Sequence, residues 1–325
     1  MASATDWEVS RAAQPQPGDY AYDLDRTLSS VVSVKTTVAA DAFTADVLGT
    51  ERSGHGVLIR PDGVVLTIGY LVTEAETIWL GLSDGRLVPG DVLGYDQESG
   101  FGLVQALARL DLPALELGDS SAVAIGQDVV TAAAGGRARS IAAQVVARQE
   151  FAGYWEYVLD EAIFTAPAHP YWGGTALIGP AGDVLGIGSL RLEQASADDG
   201  AGQINMIVPI DLLEPILDDL LTIGRPRRPP RPWLGLYAVD VDDSVVIAGL
   251  ADNGPAERAG LLASDIVLAV AGAAVDDLAG FFRRVWSLGT AGVRVPLTIS
   301  REGSVTEITI NSADRNTFLK APRVH

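Results

Sequence analysis

Gly54-His55-Gly56-Val57-Leu58-Ile59-Arg60-Pro61-Asp62-Gly63-Val64-Val65-Leu66-Thr67 is the stretch on which the fold turns. The apolar run Gly56–Arg60 meets Pro61-Asp62-Gly63 and returns as Val64–Thr67. X-Asp-Gly between β-prone runs is a hairpin signal with a mechanism, because glycine supplies the positive φ that closes the turn. The same grammar recurs as Thr77–Leu82, Ser83-Asp84-Gly85 and Arg86–Leu93. Many such units between about Asp25 and Ile223, with few long helical patterns, predict a closed or packed antiparallel β structure. Asp211–Leu221 carries apolar residues at helical spacing ahead of Gly224, which predicts a helix closing this domain. Residues 1–24 read as a mobile leader.

Gly224-Arg225-Pro226-Arg227-Arg228-Pro229-Pro230-Arg231-Pro232 follows. Its prolines hold a segment extended and stiff, which makes residues 224–232 the clearest domain boundary. The arginines read either as an interaction patch or as a solvated linker resting on its own acidic domains. Residues 233–312 differ in texture. Short strands (Ser244–Ile247, Asp265–Val270, Arg294–Ser300, Val305–Ile310) surround two helical signals, Pro255–Gly260 and Asp276–Leu288. That pattern predicts a small α+β domain, with residues 313–325 as a tail.

Composition bounds the function. The 325 residues suffice for two ordinary domains, and 48% hydrophobic against 20% charged residues argues for globular structure. A net charge of −19 repels nucleic acid and anionic membranes as a whole. With no cysteine, disulfides, thiolate metal sites and cysteine nucleophiles are excluded. Met1–Tyr20 is polar, and no stretch of about 18 apolar residues occurs. The expected location is cytoplasmic unless a leader has been removed. No phosphate-cradling GxxxxGK loop and no HExxH spacing is present, so no cofactor and no metal are expected.

The quoted stretch resembles the opening of the HtrA/Deg protease domain. The resemblance continues through Leu82-Ser83-Asp84-Gly85-Arg86, Leu93-Gly94-Tyr95-Asp96, Leu117-Gly118-Asp119-Ser120-Ser121 with Ile125-Gly126, and Gly182-Asp183-Val184-Leu185-Gly186-Ile187. Trp233-Leu234-Gly235-Leu236, Ala256–Leu261 and Asp265–Gly272 resemble the PDZ domains attached to such proteases. The fold implied is mainly β: a chymotrypsin/trypsin-like double β-barrel over 25–223 followed by a small α+β PDZ domain over 233–312.

A serine protease needs a nucleophile, a base to take its proton and an acid to orient the base. Carried onto this chain, the base position holds Tyr70, in Leu66-Thr67-Ile68-Gly69-Tyr70. A phenol titrating near about 10 is a poor proton acceptor at neutral pH. The acid position holds Gly100, and the serine position holds Gly173 in His169-Pro170-Tyr171-Trp172-Gly173-Gly174-Thr175. Oxyanion donors would be the backbone N–H groups of Tyr171 and Gly173, the first of them normally a glycine. Tyr171 and Trp172 either plug the cleft or merely pack. A substitute constellation would have to draw on His55, His169 or His325, with Thr175 as nucleophile or a metal between the histidines.

The expectation is therefore a non-catalytic pseudoprotease scaffold that binds a protein or peptide client, an enzyme complex among the candidates. Alternatives are a relative with residual proteolysis and a regulatory subunit of an active HtrA-like protease. A PDZ domain adds an extended peptide to a sheet edge and holds its carboxylate on backbone N–H groups. Here those groups would come from Leu234, Gly235 and Leu236, with Phe281 among the groove candidates. Trp233 would cover the groove or pack. The resemblance also implies a homo-trimer, with Tyr20 and Tyr22 in a region comparable to the family's trimer contacts.

Overall fold

The computed structural model describes residues 7–194 and 202–320. Expectations for Met1–Asp6 and for 321–325, His325 included, fall outside the described residues. The chain forms two compact units. The first runs to Gln149 and resumes over Glu161–Pro226; the second joins Glu150–Asp160 to Arg227–Lys320.

In the first unit, β1 (Val31–Val38), β2 (Glu51–Leu58), β3 (Val64–Ile68), β4 (Ala75–Gly81), β5 (Leu87–Tyr95) and β6 (Phe101–Ala106) close into a barrel in the order β1-β2-β3-β6-β5-β4. The alternation in β1 shows why. Val32, Val34, Thr36 and Val38 point into the core while Lys35 and Thr37 face out, the period of two that a strand imposes. The predicted hairpin pairs Val57 with Leu66. Its turn is closed by a Gly63 N–H to Arg60 O bond at 3.1 Å, with Gly63 at φ +95°.

A second barrel, β7 (Asp128–Ala132), β8 (Ile141–Gly153), β9 (Tyr157–Ala166), β10 (Ala176–Ile178), β11 (Val184–Gln194) and β12 (Gly202–Pro209), closes as β10-β11-β12-β9-β8-β7. Closure removes the free edges that an open antiparallel sheet would expose.

Two sequence expectations change at this level. The helix predicted over Asp211–Leu221 is broken into the 3-10 turns Ile210–Leu212 and Glu214–Ile216, ahead of an α-helix at Leu217–Ile223. Pro215 lacks an N–H and disfavours helical geometry in the residue before it, so the apolar spacing cannot become one continuous helix. From Trp7 onward the segment expected to be a mobile leader is packed. Val9 is buried in the core of the second barrel, and its N–H donates to Ala138 O at 2.8 Å.

The second unit is a six-stranded sheet with β13 (Leu236–Val241), β14 (Ser244–Leu250), β15 (Ile266–Val270), β17 (Arg294–Arg301) and β18 (Ser304–Asn311) in that order, and the short β16 (Ala273–Ala274) on β15. The helix Leu278–Ser287 is capped by Asp277, whose side chain accepts from Gly280 N–H. It buries Leu278, Ala279, Phe281, Phe282 and Val285. Val158, on the tip of the β8–β9 hairpin, belongs to this same core. In the Pro/Arg segment the Arg231 guanidinium lies 4.3 Å from the Trp286 ring centroid, so this arginine rests on an aromatic face of its own domain.

Candidate functional site

Tyr70 stands in the helical turn Gly69–Val72 directly after β3. Its hydroxyl donates to Ser189 O at 3.1 Å and accepts from the Trp172 indole. Burial pushes the phenol above its ordinary range, so it stays protonated at neutral pH. A Cβ placed on Gly173 would lie 2.6 Å from the Tyr70 hydroxyl oxygen. The phenol thus fills the space that any side chain at 173 would need. Gly100 accepts from Gly69 N–H at 2.6 Å and holds φ +86°, a backbone region that suits glycine and strains an acid. The fold therefore brings positions 70, 100 and 173 together.

The surrounding loop is committed elsewhere. Tyr171 N–H donates to His169 Nδ1 at 3.1 Å, and His169 Nε2 bonds Arg139 O at 2.9 Å. One of the two oxyanion donors that the resemblance implied is thus used to orient a buried histidine. The Trp7 ring packs at a tilt 4.3 Å from Tyr171 and meets His169 edge-on at 5.3 Å, centroid to centroid.

His55 does approach His169, with ring centroids 6.2 Å apart. Burial, then the neighbouring His169 and Arg139, lower the His55 pKa to about 3, and burial lowers that of His169. Thr175 lies fully buried and donates its hydroxyl to Trp172 O at 2.9 Å, away from either imidazole's service. Among the described residues no group of three or more His, Asp or Glu side chains is placed to share a metal.

In the second unit the predicted carboxylate loop is formed, and it is occupied. Leu234 N–H lies 3.0 Å from Glu156 Oε2, Gly235 N–H 2.8 Å from Oε1, and Leu236 N–H 3.2 Å from Oε1. Gly235 holds φ +73°, which lets successive N–H groups converge on one anion. Burial lifts the Glu156 carboxyl to about 7, against the pull of those three N–H groups and of Arg315. Two residues earlier, Tyr154 O accepts from Ala238 N–H at 2.9 Å, on the outer edge of β13. The Tyr154 ring lies 5.9 Å from that of Tyr237.

Phe281, expected at the groove, is fully buried in the core that also holds Val158. Trp233 is packed rather than open. It bridges Ala313 through the backbone, and its ring lies 4.8 Å from that of Phe318. Sequence reasoning missed Glu156 altogether. The one available signal was the aromatic turn Gly153-Tyr154-Trp155-Glu156, which reads as an ordinary hairpin tip.

Two family profiles match the chain: one described as a trypsin-like peptidase domain over residues 54–187, and one described as a PDZ domain over residues 232–311. The chain belongs to the HtrA/Deg family. Among curated relatives of this HtrA/Deg chain, a probable periplasmic serine endoprotease DegP-like from Halomonas elongata is 27% identical over 274 residues, covering 80% of this chain and 56% of its own length. One from Chlamydia pneumoniae is 26% identical over 294 residues, covering 82% of this chain and 57% of its own. The chain thus spans little more than half the length of these relatives.

A solved structure of the HtrA-type protease AlgW with decapeptide superposes with a TM-score of 0.54 at 21% identity, covering 92% of this chain and 98% of that one. Its counterpart with tripeptide gives 0.52, also at 21% identity, with 92% and 97% covered. At that identity the likeness concerns the fold. The cytoplasmic expectation is corrected by the comparison, since the curated relatives from Halomonas elongata, Chlamydia pneumoniae and Pseudomonas fluorescens are each named periplasmic. The features behind it, a polar first segment and no apolar span, govern solubility and do not report a compartment.

Proposed function

We propose that this HtrA/Deg chain is a non-catalytic member of its family, a pseudoprotease that binds protein or peptide clients through its PDZ unit and uses its barrel unit as a rigid scaffold. The observation that carries the reading is the Tyr70 hydroxyl seated where a side chain at 173 would have to stand, with glycine at both 173 and 100. A protonated phenol does not take a proton from a hydroxyl at neutral pH, and here no hydroxyl stands at 173. The commitment of Tyr171 N–H to His169 adds support, because an oxyanion hole needs donors aimed at the developing charge. The periplasmic names of the relatives support placing its clients outside the cytoplasm. Assembly with copies of itself, as a trimer, is part of the same proposal and rests on the family alone.

The test is incubation of the pure chain with unfolded casein at neutral pH. The expected outcome is no peptide release above a protein-free blank. Cleavage that disappears on Thr175→Val or His169→Ala would overturn the reading and install an unconventional protease in its place.

A further inference from the structure

Tyr154-Trp155-Glu156 lies on the edge of the PDZ sheet in the way an incoming peptide end would. Such a peptide presents a carboxylate to convergent N–H groups and, further back, a carbonyl to the edge strand. The hairpin tip supplies both. The Glu156 side chain provides the carboxylate for Leu234, Gly235 and Leu236. The carbonyl of Tyr154 takes the N–H of Ala238.

Three further observations show that the tip is held in place. Glu156 sits at φ +61°, a conformation that a side chain other than glycine adopts at a cost and keeps only where other contacts hold it. Val158 and Ala152 join the PDZ core from the two arms of the hairpin. Arg283, on the helix Leu278–Ser287, bridges to both Glu150 and Asp160.

We infer that the hairpin tip is an internal ligand of the PDZ unit, so that C-terminal peptides gain the site only by exchange with Glu156. The inference rests on the peptide-binding reading above and adds its regulation. A single set of N–H groups cannot serve two carboxylates, so occupancy by the tip lowers the apparent affinity for any external peptide by the fraction of molecules in which the site is open. The external ligand favoured has a free terminal carboxylate. It also carries an aromatic residue two positions earlier, where Tyr154 meets Tyr237.

The experiment uses the full chain and the variant Glu156→Gly. Glycine suits the positive φ at this position, so the variant removes the carboxylate while easing the backbone. The probe is the synthetic pentapeptide Ala-Gly-Tyr-Trp-Val with a free C-terminus, alongside its C-terminal amide. Binding is followed by calorimetry, and amide exchange is read over residues 233–238.

The expected result is about ten-fold or tighter binding of the free-acid probe to E156G than to the native chain, no gain for the amide, and faster exchange at 234–236 in the unliganded variant. Equal affinity of the two proteins for the free acid would overturn the inference, as would exchange at 234–236 left unchanged by E156G. Faster exchange without binding of the probe by either protein would support the internal ligand and count against peptide binding as the function.

Discussion

A methyl group added at Gly173 would meet the Tyr70 hydroxyl at 2.6 Å, inside any tolerable contact, and the phenol is anchored on Ser189 and Trp172. Gly173→Ala should therefore destabilise the barrel unit by about 1–3 kcal/mol through overpacking. In a Tyr70→Phe background the same change should cost less, because the clashing oxygen is gone. Urea unfolding of the four proteins in the cycle measures this coupling, expected at about 1 kcal/mol; strictly additive costs would show that the two residues do not compete for one space. The positions of Tyr70, Gly100 and Gly173 were legible beforehand, because the motifs flanking each of them survive in the sequence. The engagement of Tyr171 N–H by His169 was not, since a backbone donor leaves no mark on residue identity and its partner is fixed only by the folded loop.

Among elements, the β8–β9 hairpin departs most from what the pattern suggested. Ile141, Ala143 and Val145 of β8 alternate inward as members of the second barrel should, yet the hairpin tip (Glu150–Asp160) belongs to the other compact unit. No periodicity encodes which core a turn will join; that depends on Val158 finding an apolar surface and Glu156 finding donors. Two substitutions separate these contributions. Val158→Ala should lower the unfolding free energy of the PDZ unit by about 1–3 kcal/mol, since it hollows out a packed core. Arg283→Ala should cost less than about 1 kcal/mol despite losing two ion pairs, because its partners Glu150 and Asp160 are solvent-accessible. Denaturant titration of both variants checks the order, and a larger loss for Arg283→Ala would reverse the assignment of what holds the tip. The helix broken at Pro215 teaches a related lesson: apolar spacing survives an interruption that the backbone cannot ignore.

For the molecule as a whole, acid should act through the histidines buried between the barrels. His55 has its pKa lowered to about 3 by burial, then by His169 and Arg139, and that of His169 is lowered by burial. Folded pKa values below the unfolded value of about 6.5 mean that the unfolded chain takes up more protons in this window, so stability is present above it and is lost as pH falls. For His55 alone the loss from neutral pH to pH 5 is about 2 kcal/mol. Thermal unfolding followed from pH 7 to 5 should show a falling midpoint whose slope is reduced in His55→Gln; a flat native profile would contradict the buried, uncharged state. Fold class was readable at this scale because strand grammar and composition are distributed over hundreds of residues. The occupant of the carboxylate loop depends on one glutamate far away in sequence, and was not readable.

That distance matters for anyone who would isolate the peptide-binding part. A fragment cut at Arg227 leaves behind Ala152, Tyr154, Glu156 and Val158, and with them both the stopper of the groove and a piece of the domain's core. Ligand surveys on such a piece would sample a permanently uncorked receptor and would rank sequences that the intact chain admits only in competition with itself.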